Sequence, residues 1–216
     1  MESSGASAFC CFLGQRPDSI AIVDVWSRAL TPPIWSEHPT VAKATVNMTR
    51  TLADHQKSFR PDHTILFVRD PVAVWKSLTT YPYANTFGRI EEKFSRFEAE
   101  FSSNNYGTLL MYEDFVARDD RLFQLLNDLG WPVNENYFEM TRSQKEICEY
   151  NCANSPWLRE NYGKGWGFGN IKDVKIARDF IVKQTTPDIE NIISVISPHL
   201  YAHYTHYWIE RKEMFG

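Results

Sequence analysis

The residues best suited to chemistry are Arg69 and Ser77, eight positions apart within the stretch HTILFVRDPVAVWKSL. A guanidinium offers a planar fork of donors, and a helix amino end offers unpaired amides, so together with a hydroxyl they suit a phosphate. Ile65, Leu66, Phe67 and Val68 form a continuous apolar run, predicted to be a short strand buried on both faces. Asp70 then serves as N-cap and Pro71 as first helical residue, where no amide hydrogen is needed. Val72, Val74, Trp75 and Leu78 carry on the apolar face, with Ser77 in the second turn. Ligands of open parallel sheets bind beyond the carboxyl ends of the strands, which is where Arg69 would stand. Read in isolation, an Arg-Asp-Pro triplet favours instead an ion pair of Arg69 with Asp70 or a surface acid, with Ser77 a solvated helix residue.

The elements on either side have to present that junction. Ala8–Leu13 (AFCCFL) reads as a strand, GQRPDS as a turn and IAIVDVWSRAL as a helix. Thr40–Thr45 (TVAKAT) reads as a second strand, and residues 47–59 as the helix leading back to Ile65. Phe87, Ile90, Phe94, Phe97 and Phe101 recur at helical spacing and read as core. Gly107–Met111 reads as a further buried strand, and DDRLFQLLNDL as a capped helix stopped by Gly130 and Pro132. His199, His203 and His206 share a helical face, but with Tyr and Trp between them they read as surface or packing residues rather than metal ligands.

The chain has 216 residues, 43% apolar and 23% charged, with a net charge of -4. That is the composition of one globular domain spanning 1–216, with no excess of basic charge to suggest nucleic acid. Cys10, Cys11, Cys148 and Cys152 form no CxxC pair, which favours free thiols. The opening MESSGASAFCCFLGQ lacks a basic n-region, and no apolar segment approaches the ~20 residues of a membrane span. The expectation is a cytoplasmic protein with no membrane partner. Signatures of an α/β hydrolase, a Walker kinase and a Rossmann dehydrogenase are absent.

VRDPVAVWKSL resembles the 3′-phosphate-binding segment of the PAPS-dependent sulfotransferases, in which an Arg ending a strand and a Ser eight residues later hold the 3′-phosphate of phosphoadenosine phosphosulfate. Tyr112-Glu113-Asp114, after an apolar run, is similar to that family's Tyr-Glu-Asp. The resemblance implies Tyr112 near the adenine and Glu113 and Asp114 as helix-capping acids. The family's first motif, Gly-x-x-Arg-Ser-Gly-Thr-Thr, wraps the 5′-phosphosulfate. Gly14, Arg16 and Ser19 can be laid on it, one residue shorter, with Asp18 at the motif Gly and Ile20 at the second Thr. Lys43 would stabilise the leaving bridge oxygen, and Lys164-Gly165 would close a loop over the nucleotide. His38 is the candidate general base, with Glu91 or Glu92 behind it.

The implied fold is α/β, a central parallel sheet flanked by helices, as in the P-loop-NTPase-like sulfotransferase fold. The implied activity is sulfuryl transfer from PAPS to a hydroxyl or amine of a small-molecule or carbohydrate acceptor, without a metal. The alternative is a sulfotransferase-like protein that binds a nucleotide or a partner without catalysis.

Overall fold

The structure, a computed structural model, describes residues 4–25, 37–45, 50–80, 88–162 and 186–215. The chain enters through a helix, α1 (Ala6–Leu13), and only then forms its first strand, β1 (Ile20–Val25). This reverses the order expected for these two segments. Phe9, Cys10, Cys11, Phe12 and Leu13 are all nearly inaccessible, so α1 is buried around its whole circumference. A helix of that kind carries no amphipathic period, and a short apolar run satisfies helix and strand alike. The β-branched IAIVDV takes the strand instead.

Strand β2 (Thr40–Ala44) pairs in parallel with β1, Ile20 opposite Thr40 and Ile22 opposite Ala42. Helix α2 (Leu52–Phe59) starts on a capping box in which Asp54 N–H meets Thr51 Oγ1 at 3.1 Å and Thr51 N–H meets Asp54 Oδ2 at 2.8 Å. Strand β3 (Ile65–Val68), helix α3 (Pro71–Thr80), helix α4 (Ile90–Ser103) and strand β4 (Thr108–Met111) then form one parallel crossover unit. Parallel strands cannot be joined by a tight turn, and α3 and α4 supply the necessary length. Helices α5 (Tyr112–Ala117) and α6 (Asp120–Asp128), a 3-10 turn (Glu135–Glu139), α7 (Gln144–Asn154), α8 (Pro156–Tyr162), α9 (Pro187–Ile196) and α10 (Pro198–Phe215) follow.

The molecule is thus mixed α/β and mostly helical. The described strands form two small parallel two-stranded sheets, β1–β2 and β3–β4, and not the one central sheet that was expected. Strand periodicity sorts the β3–β4 side chains to opposite sides. Phe67 and Leu110 join Phe9, Phe12, Phe115 and Phe138, with Phe9 stacked on Phe67 at 4.9 Å. Leu66, Val68 and Met111 join Phe97 and Phe101 of α4 and Leu200 and Tyr204 of α10. The expected phenylalanine stripe of α4 is buried at Ile90, Phe94, Phe97 and Phe101, and Phe87 lies outside the described residues.

Helix α1 also sets the direction of the strands. Its amino end meets Tyr112, at the end of β4, while β1 starts from its carboxyl end and packs back along it. Both pairs therefore run toward the amino end of α1.

Candidate functional site

In β3–β4 the last partners are Val68 and Met111, so Arg69 and Tyr112, the next residues, emerge side by side. The Arg69 guanidinium carbon lies 4.5 Å from the centre of the Tyr112 ring, a cation–π contact. The other face of the site is Gly5, the N-cap of α1. A Cβ at Gly5 would come within 2.5 Å of Tyr112 Cε2, and its φ of +83° is left-handed, so glycine is required twice over. No side chain caps α1, and its first-turn amides have no carbonyl within the helix to bond. Ser4 is buried and Ser7 half-buried beside them. The arrangement brings a guanidinium, an aromatic ring and a helix amino end to the carboxyl ends of β3 and β4. Such a set can bind an anion carrying an aromatic group.

The neighbouring α3 offers no such opening. Asp70 Oδ1 accepts from Val72 N at 2.8 Å and Ala73 N at 3.1 Å, the cap expected from the Asp-Pro pair. Its Oδ2 accepts from Trp208 Nε1 at 2.7 Å. Asp70 N donates to Glu113 Oε1 at 2.9 Å, and Tyr204 O–H donates to Glu113 Oε2 at 2.8 Å. Glu113 is almost fully buried, and burial pushes its carboxyl up to about 7. Asp114 accepts from Tyr207 O–H at 2.7 Å and pairs with Arg211 at 2.8 Å. Neither acid caps α5, contrary to expectation, because Met111 is its N-cap. Both tie α5 to α10, and Glu113 also binds the amide next to Arg69. Tyr204, Tyr207, Trp208 and Arg211 went unrecognised in the sequence. Their signal is polar tips at helical spacing on an aromatic face, and their acidic partners lie about a hundred residues away.

Ser77 is half-buried in the second turn of α3, the helix that Arg69 precedes. Gly14, Arg16 and Ser19 lie elsewhere, at the carboxyl end of α1, roughly 12 Å along an eight-residue helix from Gly5. That end presents carbonyls. Arg142 Nη1 donates to the Gly14 and Arg16 oxygens at 2.9 Å each, as the helix dipole favours. Arg16 is held by Asp18, Nε–Oδ1 2.7 Å and Nη2–Oδ2 3.2 Å, and this pairing keeps the Asp18 carboxyl below its ordinary range. Ser19 Oγ donates back to the Arg16 carbonyl at 2.9 Å, and Gly14 is small because Ala21 Cβ would lie 2.8 Å from a Cβ there.

Lys43 is half-buried one residue from the carboxyl end of β2, on the same side of the strands as Arg69. His38 precedes β2, at the opposite end, its ring edge-on to Tyr150 at 6.1 Å. It therefore stands at the other end of the strand from the Arg69 site, while Glu91 and Glu92 lie in the first turn of α4, where Glu92 Oε2 accepts from Arg89 N at 3.0 Å. Lys164 and Gly165 lie outside the described residues. His199 pairs with Glu98 at 2.6 Å and His206 with Glu210 at 3.1 Å, and no metal-binding cluster occurs among the described residues.

No protein-family model matches the chain, and no curated protein or solved structure matches it either.

Proposed function

We propose that this chain binds a 3′-phosphoadenosine nucleotide at the Arg69–Tyr112–Gly5 junction and transfers the sulfuryl group of PAPS to a hydroxyl or amine. One observation carries the reading: the Arg69 guanidinium lies against Tyr112, which in turn lies against the amino end of α1. Two anions of one nucleotide could be met there, the 3′-phosphate by Arg69 and Ser77 and the 5′-phosphosulfate by the α1 amides. The residues around Gly5 support this better than Gly14, Arg16 and Ser19 do. Ser4-Gly5-Ala6-Ser7 lies on the Ser-Gly-Thr-Thr of the sulfotransferase motif without a gap, with Ala6 at the first Thr and the motif Arg at Ser3.

In the transfer, an acceptor oxygen or nitrogen forms a bond to sulfur while the bond from sulfur to the bridging oxygen breaks. That oxygen takes the electron pair and leaves as adenosine 3′,5′-bisphosphate, and the acceptor proton passes to a base. Helix amides and the Lys43 ammonium would stabilise the charge developing on the equatorial and bridging oxygens. His38, at the far end of β2, is given no part in it.

The test is thermal unfolding with adenosine 3′,5′-bisphosphate. Ligand at 100 times its dissociation constant adds about 2.7 kcal/mol, and the increment should vanish in Arg69→Glu. ATP with magnesium should add little. No stabilisation by the bisphosphate would overturn the reading. Ala6, standing where the motif has a Thr, favours a second reading in which the nucleotide binds without transfer. Stabilisation without bisphosphate release from PAPS, over a panel of phenol, amine and sugar acceptors, would select it.

A further inference from the structure

Arg69 and Glu113 leave the β3–β4 pair at nearly the same level. Val68 is opposite Met111, so two residues further on Asp70 comes abreast of Glu113. The two are joined directly, Asp70 N donating to Glu113 Oε1 at 2.9 Å, and that amide belongs to the peptide group that follows Arg69. On the other strand Glu113 follows Tyr112, whose ring lies 4.5 Å from the Arg69 guanidinium carbon. The Glu113 carboxyl therefore spans the gap between the chain segments that present the guanidinium and the ring. Its Oε2 accepts from Tyr204 O–H at 2.8 Å, so α10 fixes the far side.

Glu113 is 1% exposed and Asp70 3%. Among the described residues the donors that reach these two carboxyls are neutral: the Asp70, Val72 and Ala73 amides, the Tyr204 hydroxyl and the Trp208 indole. From α10, Tyr207 also faces the Glu113 charge, and its O–H donates to Asp114 at 2.7 Å. Asp114, the next residue of α5, takes Arg211 at 2.8 Å and Arg121 at 3.7 Å, so those guanidinium groups serve Asp114. The Arg69 guanidinium lies over the Tyr112 ring. A buried carboxyl met by neutral donors is an unfavourable place for charge. An anion arriving at Arg69 adds a further negative charge to this cluster, and a proton on Glu113 lowers the repulsion.

We propose that Glu113 is a positioning residue of the Arg69–Tyr112 site, and that an anion bound there and a proton on Glu113 favour one another. The inference rests on the reading of that junction as a phosphate site. Both protonation states keep the geometry, because Oε1 still accepts from the Asp70 amide and a protonated Oε2 still meets the Tyr204 hydroxyl. What changes is the charge beside Arg69. Burial pushes the carboxyl up to about 7 in the free protein, and a bound anion would raise it further. Below about pH 6 Glu113 holds its proton with or without ligand, so affinity is independent of it. As pH rises through 7 the free protein loses the proton first, and affinity falls until the complex loses it too. Two unit charges ~10 Å apart at an effective dielectric of ~20 give a total fall of roughly tenfold.

The test is calorimetric titration of the full chain with adenosine 3′,5′-bisphosphate from about pH 6 to about pH 8.5, wild type beside Glu113→Gln. Glutamine keeps the shape without the charge, so the ligand's own phosphate titration cancels in the ratio of the wild-type to the variant dissociation constant. That ratio should rise about tenfold across the range. A residue that only braced the fold would change affinity by the same factor at every pH. Tyr204→Phe removes a hydrogen bond that favours the ionised carboxyl, and should move the midpoint of the fall in affinity to higher pH. It carries the test by itself if Glu113→Gln does not fold. A flat ratio with both proteins binding, or a midpoint unmoved in Tyr204→Phe, would overturn the inference and leave the nucleotide reading standing. Bisphosphate binding to none of the proteins at any pH would overturn both.

Discussion

Gly5 sits where backbone and packing make the same demand. In Gly5→Ala the new methyl meets the Tyr112 ring in a backbone region that side chains avoid, with φ at +83°. The expected cost is ~1–3 kcal/mol of stability, together with weakened binding of adenosine 3′,5′-bisphosphate, read by denaturant melts with and without ligand. Glu113 gives a pH signature. Its carboxyl titrates near 7 in the folded protein because burial disfavours the charge, against 4.5 ordinarily. The folded state therefore holds a proton that the unfolded state has released between about pH 4.5 and 7, and stability falls as pH rises through that window. At ~1.4 kcal/mol per pH unit the loss is at most ~3.5 kcal/mol, and Glu113→Gln should flatten it. An equal slope in the variant would assign that titration to another group.

The junctions between elements carry longer-range consequences. Asp70 caps two amides of α3 and accepts from Trp208 of α10. Asp70→Ala should cost ~1–2 kcal/mol as a lost cap, and more through the orphaned indole N–H. Trp208→Phe removes the indole donor that links Asp70 to α10 and keeps the cap itself. If α10 steadies the Arg69 junction, Trp208→Phe should weaken bisphosphate binding by more than it lowers the melting temperature, whereas a purely structural role would move melting alone. In the core, Phe12 is fully buried against Phe115 and Phe138, and Phe12→Ala should cost ~3–5 kcal/mol by chemical denaturation. Legibility at this scale followed local chemistry. The run Ile65–Val68, the Asp70 cap, the crossover through α4 and the strand ending at Met111 could all be read from residues a few positions apart. The helix Ala6–Leu13 could not, because a segment apolar on every side has no period to reveal it.

Over the whole molecule, the four cysteines form no disulfide, Cys10 and Cys11 being buried and Cys148 and Cys152 half-exposed. Burial pushes the Cys11 thiol up to about 12, so it carries almost no thiolate at neutral pH. A thiol reagent should titrate two cysteines in the native protein and all four in denaturant. Among the described residues no helix is long and apolar enough to cross a membrane. The chain by itself determined the short-range features: where caps, turns and most strands fall, and that Arg69 leads into a helix by way of Asp-Pro. These depend on hydrogen bonds and sterics within a turn or two of the residue concerned. Only the tertiary structure decided which end of α1 meets Tyr112, that Glu113 reaches Tyr204, and that Gly14, Arg16 and Ser19 gather at the carboxyl end of α1, with Arg16 held by Asp18. Those outcomes turn on contacts between residues up to about 130 apart, such as Gln15 with Arg142, where packing selects among local conformations of similar energy.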